Sequence, residues 1–483
     1  MRSTLSGFLF CSTLFAYGQI PGIDYSFQAV PPEGVVNKIL VLPDGKIMVG
    51  GSFFDYAGTQ RQGLVRLHPD GTLDTDWNSG VYGLNGTVYD MEVMPDGRIV
   101  IGGNIISYNG ISCGNLARLH PDGTLDGTFT VPYGAINGIV LQLELHLDDK
   151  VVAAGEFQHC YGISQPHIAR FNYNGSLDGS FDIGEGFYAT VRGLKVLPDW
   201  RIMAVGDFNM FDQNTCMYMA RLNSDGTYDS SFAADPGLHG TLCHGRAVDA
   251  QPDGKILIAG AFTHHAGQPA NDLIRLHTDG SRDQSFVSPF SPWANVNAVE
   301  VLPDGKILVG GEFTSGFYWP AVAAPARFVR LELDGSWDSS LPLATGFTEG
   351  TENVAFIKDM STDAEGRILV GGMFGACDGE TQYRNIIRLQ PEMTVGLPHA
   401  PAEQEMNISY DDRTGEVLIR FVDPLSGSAD VALYSTSGQL TCSERTTSAS
   451  NGWIRLQTPV QAGLYLVRVS HGAQVMVGRV VIP

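Results

Sequence analysis

The 483-residue sequence predicts an all-β fold made of a closed series of small antiparallel sheets. Three observations lead there. A phrase, fullest as Val301-Leu-Pro-Asp-Gly-Lys-Ile-Leu-Val-Gly-Gly-Glu-Phe313, recurs with its turn near Gly45, Gly97, Asp149, Trp200, Gly254, Gly305 and Gly366, at spacings of 52, 52, 51, 54, 51 and 61 residues. Glycine reaches 58 copies and hydrophobic residues 43%, a composition suited to short strands and tight turns. The piece missing from the last copy of the phrase stands near the start of the chain.

Each unit reads as four strands. An alternating stretch such as Val299–Leu302 leads into ProAspGly, then LysIleLeuValGlyGly, a variable loop, an ArgLeu segment, a second AspGly and a final AspXaaSerPhe. Period-two runs separated by AspGly are antiparallel strands joined by hairpins, because glycine accepts the positive φ that such turns require. Arg66, Arg118, Arg170, Arg221, Arg275 and Arg330 precede Asp74, Asp126, Asp178, Asp229, Asp283 and Asp338 by eight residues, and Trp77, Phe129, Phe181, Phe232, Phe286 or Leu341 follows three residues later. Such an offset across a hairpin predicts a partly buried ion bridge with the aromatic beneath it, a structural device rather than a set of active sites.

Arg388 has Gly396 where the aspartate belongs, and the missing strand occurs instead as Ile23-Asp24-Tyr25-Ser26-Phe27. An N-terminal strand that completes the last unit, pairing Asp24 with Arg388, closes a ring and abolishes free sheet edges. The expectation is a seven-bladed β-propeller of four-stranded blades over residues 19–395.

At these residues the chain resembles the delta-60 repeat family of bacterial β-propellers, whose copies read DGKILVGGxF followed by RLxxDGxLDxSF. The resemblance covers roughly residues 23–395, with departures at Asp148-Asp149, Asp199-Trp200 and Asn104-Ile105. It implies the propeller and supplies no catalytic residue.

Residues 1–18, with Arg2 before the apolar run Phe8–Phe15 and a small-residue exit at Ala16–Gly18, read as a cleaved secretory signal. No other segment approaches the ~20 apolar residues that spanning a bilayer requires. Pro391, Pro398 and Pro401 mark a linker, 396–405, before short alternating strands at 406–483 that predict a small β-sandwich. Ala462–Val469 with Gly463 and Tyr465, then Gly472 and the terminal run from Arg479, resemble the type A C-terminal sorting domain of the bacterial type IX secretion system. That resemblance implies translocation by the type IX machinery, and a secreted or outer-membrane-attached product.

A net charge of −22 disfavours nucleic acid as a partner. Loops are where binding residues concentrate on a rigid scaffold, so departures from the repeat are the candidates. Trp293, together with Phe317, Tyr318 and Trp319 of a sixth-unit insertion, forms an aromatic set suited to a glycan or protein surface. His159, His264 and His265 are polar candidates, although neither a HisGluXaaXaaHis helix nor a CysXaaXaaCys pair points to a metal. Glu156, Asp207 and Glu312 share the slot before the loop phenylalanine and are expected near the mouth of the ring. Cys113 with Cys160, and Cys216 with Cys243, are candidate disulfides in an oxidising compartment.

No phosphate loop, nucleophile elbow or ordered catalytic triad appears, and no cofactor is implied. The expected function is therefore a non-enzymatic extracellular binding or adhesion scaffold. The alternatives are a polysaccharide-active hydrolase or lyase on the loop face and a purely structural surface component.

Overall fold

A computed structural model describes residues 22–77, 83–232, 237–241, 243–314, 324–349 and 354–391, and, further on, 406–411, 414, 416–421, 428–435, 440–447, 453–457, 463–471 and 474–482. The signal segment 1–18 and the sixth-unit aromatics Phe317, Tyr318 and Trp319 lie outside the described residues. The chain divides into two compact units, Met1–Met393 and Thr394–Pro483.

Among the described residues of the first unit, seven antiparallel sheets share one three-strand core. Their first strands are Gly34–Val41, Leu84–Val93, Val140–His146, Val191–Val196, His244–Ala250, Val296–Val301 and Phe356–Thr362. Each pairs with a middle strand carrying the Val-Gly-Gly-like run, which in turn pairs with the strand carrying the repeated arginine. The middle strands are almost wholly buried and carry near-continuous runs of apolar residues and glycine, whereas the first strands are buried only at intervals, as at Val36 and Ile39.

The expected fourth strand is reduced to one bridged pair per sheet: Leu67 with Leu73, Leu119 with Leu125, Phe171 with Leu177, Leu222 with Tyr228, Leu276 with Arg282 and Leu331 with Trp337. The aspartate that follows shortens it by turning the chain at once. In the second sheet Asp126 Oδ1 accepts from Thr128 N at 2.9 Å and Thr128 Oγ1 at 2.6 Å, an Asx turn that ends pairing. In the seventh sheet the bridge is Ile23 with Leu389, flanked by Asp24 N donating to Arg388 O at 3.0 Å and Gln390 N to Gly22 O at 2.8 Å. Phe27 is buried with Leu369 and Ile386 of that sheet and with Val36 and Ile39 of the first.

The stretch read from sequence as a variable loop is a regular hairpin in six sheets. Its turn places two residues at positive φ: Ala57-Gly58, Asn109-Gly110, Tyr161-Gly162, Asp212-Gln213, Ala266-Gly267 and Asp378-Gly379. The residue just before that turn, namely Tyr56, Tyr108, Cys160, Phe211, His265 or Cys377, is fully or almost fully buried and plugs the end of its sheet.

Neighbouring sheets are locked together at glycines and arginines. A Cβ on Gly50 would lie 2.8 Å from Val88 Cγ1 of the second sheet, and one on Gly371 would lie 2.6 Å from Val36 Cγ1 of the first, so the seventh sheet packs on the first as closely as the first on the second. Nη1 of each repeated arginine donates to a carbonyl in the outer turn of the next sheet. Arg66 reaches Pro121, Arg118 Tyr173, Arg170 Ser224, Arg221 Thr278, Arg275 Leu333 and Arg330 Pro391, and Arg388 returns to Pro69. The series is closed.

The second unit has two antiparallel sheets, one of Met406–Asp411, Glu416–Phe421 and Trp453–Gln457 and one of Leu440–Thr447, Ser428–Ser435, Gly463–His471 and Gln474–Ile482. Val417, Ile419, Ile454 and Leu456 from the first meet Val431, Leu433, Val467 and Val469 from the second in one core. The period of two puts every such residue on one face. Gly463 and Tyr465 pair with Ile482 and Val480, and Arg479 stands opposite Leu466. Gly472 lies outside the described residues.

Candidate binding site at the channel mouth

The site begins with one glycine. In all seven middle strands the last glycine of the run (Gly51, Gly103, Gly155, Gly206, Gly260, Gly311 or Gly372) lies so close to the first strand that a Cβ would fall 2.0–2.4 Å from a backbone oxygen there. Glycine admits that approach, and the first strand bulges at the same level: its register shifts between Val36 and Lys38, Val88 and Asp90, Val140 and Gln142, Val191 and Gly193, Gly245 and Ala247, Val296 and Ala298, and Ile357 and Asp359. A bulge leaves one residue unpaired and re-aims it. The seven residues so released are Asn37, Tyr89, Leu141, Arg192, Arg246, Asn297 and Lys358.

All seven line a cavity of about 480 Å³, together with Ile139, Gln142, Glu156, His244 and Glu312. A second cavity of about 260 Å³ shares Asn37, Tyr89, Gln142, Arg246, Asn297 and Lys358 with it and continues past Lys38, Glu144, Lys195, Asp249, Glu300 and Asp359. The two form one channel along the first strands. Its volume falls within the ~300–1,000 Å³ typical of small-molecule sites.

The mouth is asymmetric. Sheets four to seven contribute Arg192, Arg246, Asn297 and Lys358, and sheets one to three contribute Asn37, Tyr89 and Leu141. Arg192 Nε donates to both oxygens of Asp207 at 2.8 and 2.9 Å. Arg246 Nη1 donates to Glu312 Oε1 at 2.9 Å and also to Asn297 Oδ1. Of the acidic slot anticipated at the mouth, Glu156 and Glu312 line the cavity, and bulge-site arginines pair with Asp207 and Glu312. Among the described residues Lys358 Nζ has no ion pair; desolvation, and then Arg246 and Arg192, hold its pKa below the ordinary lysine value.

Deeper, two lysines each span two carboxylates from flanking sheets. Lys38 Nζ lies 3.0 Å from Asp90 and 4.0 Å from Asp359, and Lys195 Nζ lies 3.1 Å from Asp249 and 3.6 Å from Glu144. With Glu92 and Glu300 this gives six acids to two lysines in a narrow space. Burial first, then neighbouring carboxylates, raises Glu92 and Glu300 to about 8. Burial likewise raises Glu144 to about 7 and Asp359 to about 6.

The repeated pairs stand away from this channel as structural supports. Nε of Arg66, Arg118, Arg170, Arg221, Arg275, Arg330 and Arg388 lies 2.6–2.9 Å from Oδ2 of Asp74, Asp126, Asp178, Asp229, Asp283, Asp338 and Asp24. Six of the guanidinium groups lie over the following aromatic ring, at 4.3–5.5 Å. Sequence reading missed the second cation on each aspartate, which is the basic residue after the inner turn, from Lys46 on Asp74 at 2.9 Å to Arg367 on Asp24 at 3.9 Å.

Other candidates fall elsewhere. Trp293 is exposed at positive φ and does not line the channel. His159 and His264 are exposed on different sheets. His265 is 2% exposed, neither ring nitrogen has a hydrogen-bond partner among the described residues, and burial lowers its pKa to about 4. No group of three or more ligating side chains converges among the described residues. Cys113, Cys160, Cys216 and Cys243 are free thiols, which corrects the two pairings expected from sequence. Each is buried in the core of a different sheet pair, Cys160 as the plug before its turn, so neither pair shares a surface loop.

Six segments, 42–76, 95–129, 147–181, 197–232, 251–286 and 302–341, match the family model described as a domain of unknown function (DUF5122) beta-propeller. The first unit is a β-propeller. Among solved structures, this propeller chain is similar to PorZ, a bacterial surface component of the type-IX secretion system of Porphyromonas gingivalis, at 11% identity and a TM-score of 0.33. The alignment covers 91% of the chain and 64% of PorZ. It is also similar to a xylan beta-1,4-xylosidase from Bacillus halodurans C-125, at 10% identity and a TM-score of 0.26, covering 94% of the chain and 88% of the xylosidase. No curated protein matches the chain. No helix among the described residues is long and apolar enough to cross a membrane.

Proposed function

We propose that the chain is an exported, seven-bladed propeller that binds an extracellular ligand, a glycan in the first instance, at the mouth of its central channel. One observation carries this reading. The scaffold repeats its glycine, bulge and arginine in every sheet, while the residue that each bulge turns into the mouth differs from sheet to sheet, apart from recurrences of Asn and Arg. A repeat maintained for stability alone gains nothing from a ring of solvent-accessible, mostly polar side chains of five kinds at its bulged level, whereas a recognition site requires them.

A glycan array probed with the full chain tests the site. Binding is expected to at least one glycan and to fall at least tenfold in Tyr89→Ala, with an unchanged circular dichroism melt. A hit indifferent to Tyr89→Ala and to Leu141→Ser would place recognition elsewhere and overturn the assignment.

Export is assigned to residues 1–18 and to the C-terminal unit, read as a β-sandwich sorting domain of the type IX route. Its support is the resemblance at Gly463, Tyr465, Gly472 and Arg479 and the shared core of the two sheets. Deleting 403–483 is expected to retain the protein inside the producing cell, and normal release would overturn the sorting role.

A further inference from the structure

We infer that the ligand of the channel mouth is an acidic saccharide, a sugar ring carrying an oxyanion such as a carboxylate or sulfate; this rests on the mouth being the binding site. The three cations of the mouth all come from sheets four to seven, and the opposite arc is uncharged on its bulge residues. A sugar with a charged edge and an apolar face has that same division.

Each part of such a ligand meets a group suited to it. Arg192 and Arg246 are held by Asp207 and Glu312, so their guanidinium planes are fixed before a ligand arrives. Lys358 differs from them. It lies on the seventh sheet, exposed to the channel, and among the described residues no carboxylate is within ion-pair distance of it. Of the three cations around the opening, Lys358 alone lacks a carboxylate within ion-pair distance among the described residues, and an incoming oxyanion supplies one.

Across the mouth, Tyr89 and Leu141 offer a ring and an alkyl surface for the face of a pyranose, and the Tyr89 hydroxyl adds a polar edge. Glu156, exposed beside Tyr89 and likewise without an ion pair among the described residues, is an acceptor for sugar hydroxyls, which bare inorganic anions do not have. The cavity of about 480 Å³ fits a short saccharide segment, and in the channel below Lys38 and Lys195 are already spanned by carboxylates and offer an anion no free cation. The charged group is therefore held at the rim, and the chain of sugars does not thread through.

The test uses the full chain and calorimetric titration with oligosaccharides of galacturonate, glucuronate and mannuronate, each beside its methyl ester. A sulfated disaccharide and inorganic sulfate complete the set. At least one acid is expected to bind ten times more tightly than its ester and to weaken with salt. Lys358→Gln, at a position with no ion pair to lose, is expected to reduce binding of the acid at least fivefold while leaving the melting temperature unchanged.

The sulfated arm decides between carboxylate and sulfate as the source of the charge. Equal binding of acid and ester, or competition by inorganic sulfate as effective as the sugar's, would overturn the proposal. So would an acid whose affinity ignores Lys358→Gln. A neutral glycan lost in Tyr89→Ala would leave the mouth as the site and remove only the anionic class. Failure of every arm removes the acidic saccharide, and the array then judges the mouth alone.

Discussion

Asp126→Ala is expected to destabilise the propeller by about 3–5 kcal/mol, the range for removing one partner of a buried ion pair and leaving the other charged and uncompensated. Both Arg118 and Asp126 have side chains that are 0% exposed. Burial alone would raise the Asp126 carboxyl, but the bonds from Thr128 and Arg118 outweigh it and hold the pKa at about 2. The loss extends beyond the pair, because Arg118 also links the second sheet to the third through Tyr173 O and lies 4.9 Å from the centre of the Phe129 ring. Asp122→Ala, in the exposed turn nearby, is the control, since it removes an Asx contact with Thr124 and no buried charge. Urea denaturation of both variants measures the difference. A cost below about 1 kcal/mol at Asp126 would mean that the repeated pair does not hold the sheets together.

The second large effect is an acid-shifted stability optimum. Glu92, Glu144, Glu300 and Asp359 have folded pKa values of about 8, 7, 8 and 6, above the ~4 of an unfolded chain, so the folded channel retains protons that the unfolded chain releases. Their contribution is fully present below the unfolded value and is lost as pH rises through about 6–8. The aspartates paired with the repeated arginines behave oppositely. Their folded pKa values are depressed, and their contribution is lost as pH falls below about 4. Lys38 and Lys195, raised by the same carboxylates, stay charged throughout and do not change the sign.

The urea midpoint is therefore expected to peak at about pH 4–5 and to fall from there to pH 8.5. Each tenfold difference in proton affinity between the folded and unfolded chain is worth about 1.4 kcal/mol, so the fall amounts to several kcal/mol, less than a simple sum because these acids titrate together. A flat profile between pH 5.5 and 8.5 would refute the channel electrostatics. Glu300→Gln, which replaces a carboxyl whose Oε2 has no hydrogen-bond partner among the described residues, should flatten part of the alkaline fall.

Local regularities carried much of this into the sequence. The eight-residue offset between Arg118 and Asp126 is visible because both ends lie on one hairpin, and the displaced AspXaaSerPhe at Asp24–Phe27 is visible because it leaves Arg388 without its aspartate. The second cation on each aspartate was equally present in the DGK phrase, and Lys46 was overlooked because an exposed lysine after a turn is ordinary. The candidate site was less legible. Glu156, Asp207 and Glu312 stand out by their shared slot, but the arginine partners of Asp207 and Glu312 come from a different strand or a neighbouring sheet, at separations such as the 66 residues between Arg246 and Glu312. Cysteine positions misled because Cys160 follows a histidine in a polar stretch, and only the hairpin geometry turns it inward.

The repeat, the β class, the turns and the arginine partner of each buried aspartate within a hairpin are all written in the order of the residues, since they depend on neighbours within about ten positions. Which residues face the channel emerges only when the sheets assemble. A period-two pattern assigns Asn37, Tyr89, Leu141, Arg192, Arg246, Asn297 and Lys358 to a face only if pairing is regular, and here it is not. A glycine on the middle strand lets the two backbones approach, the first strand bulges, and one residue in each sheet leaves the pattern to meet six others from across the ring.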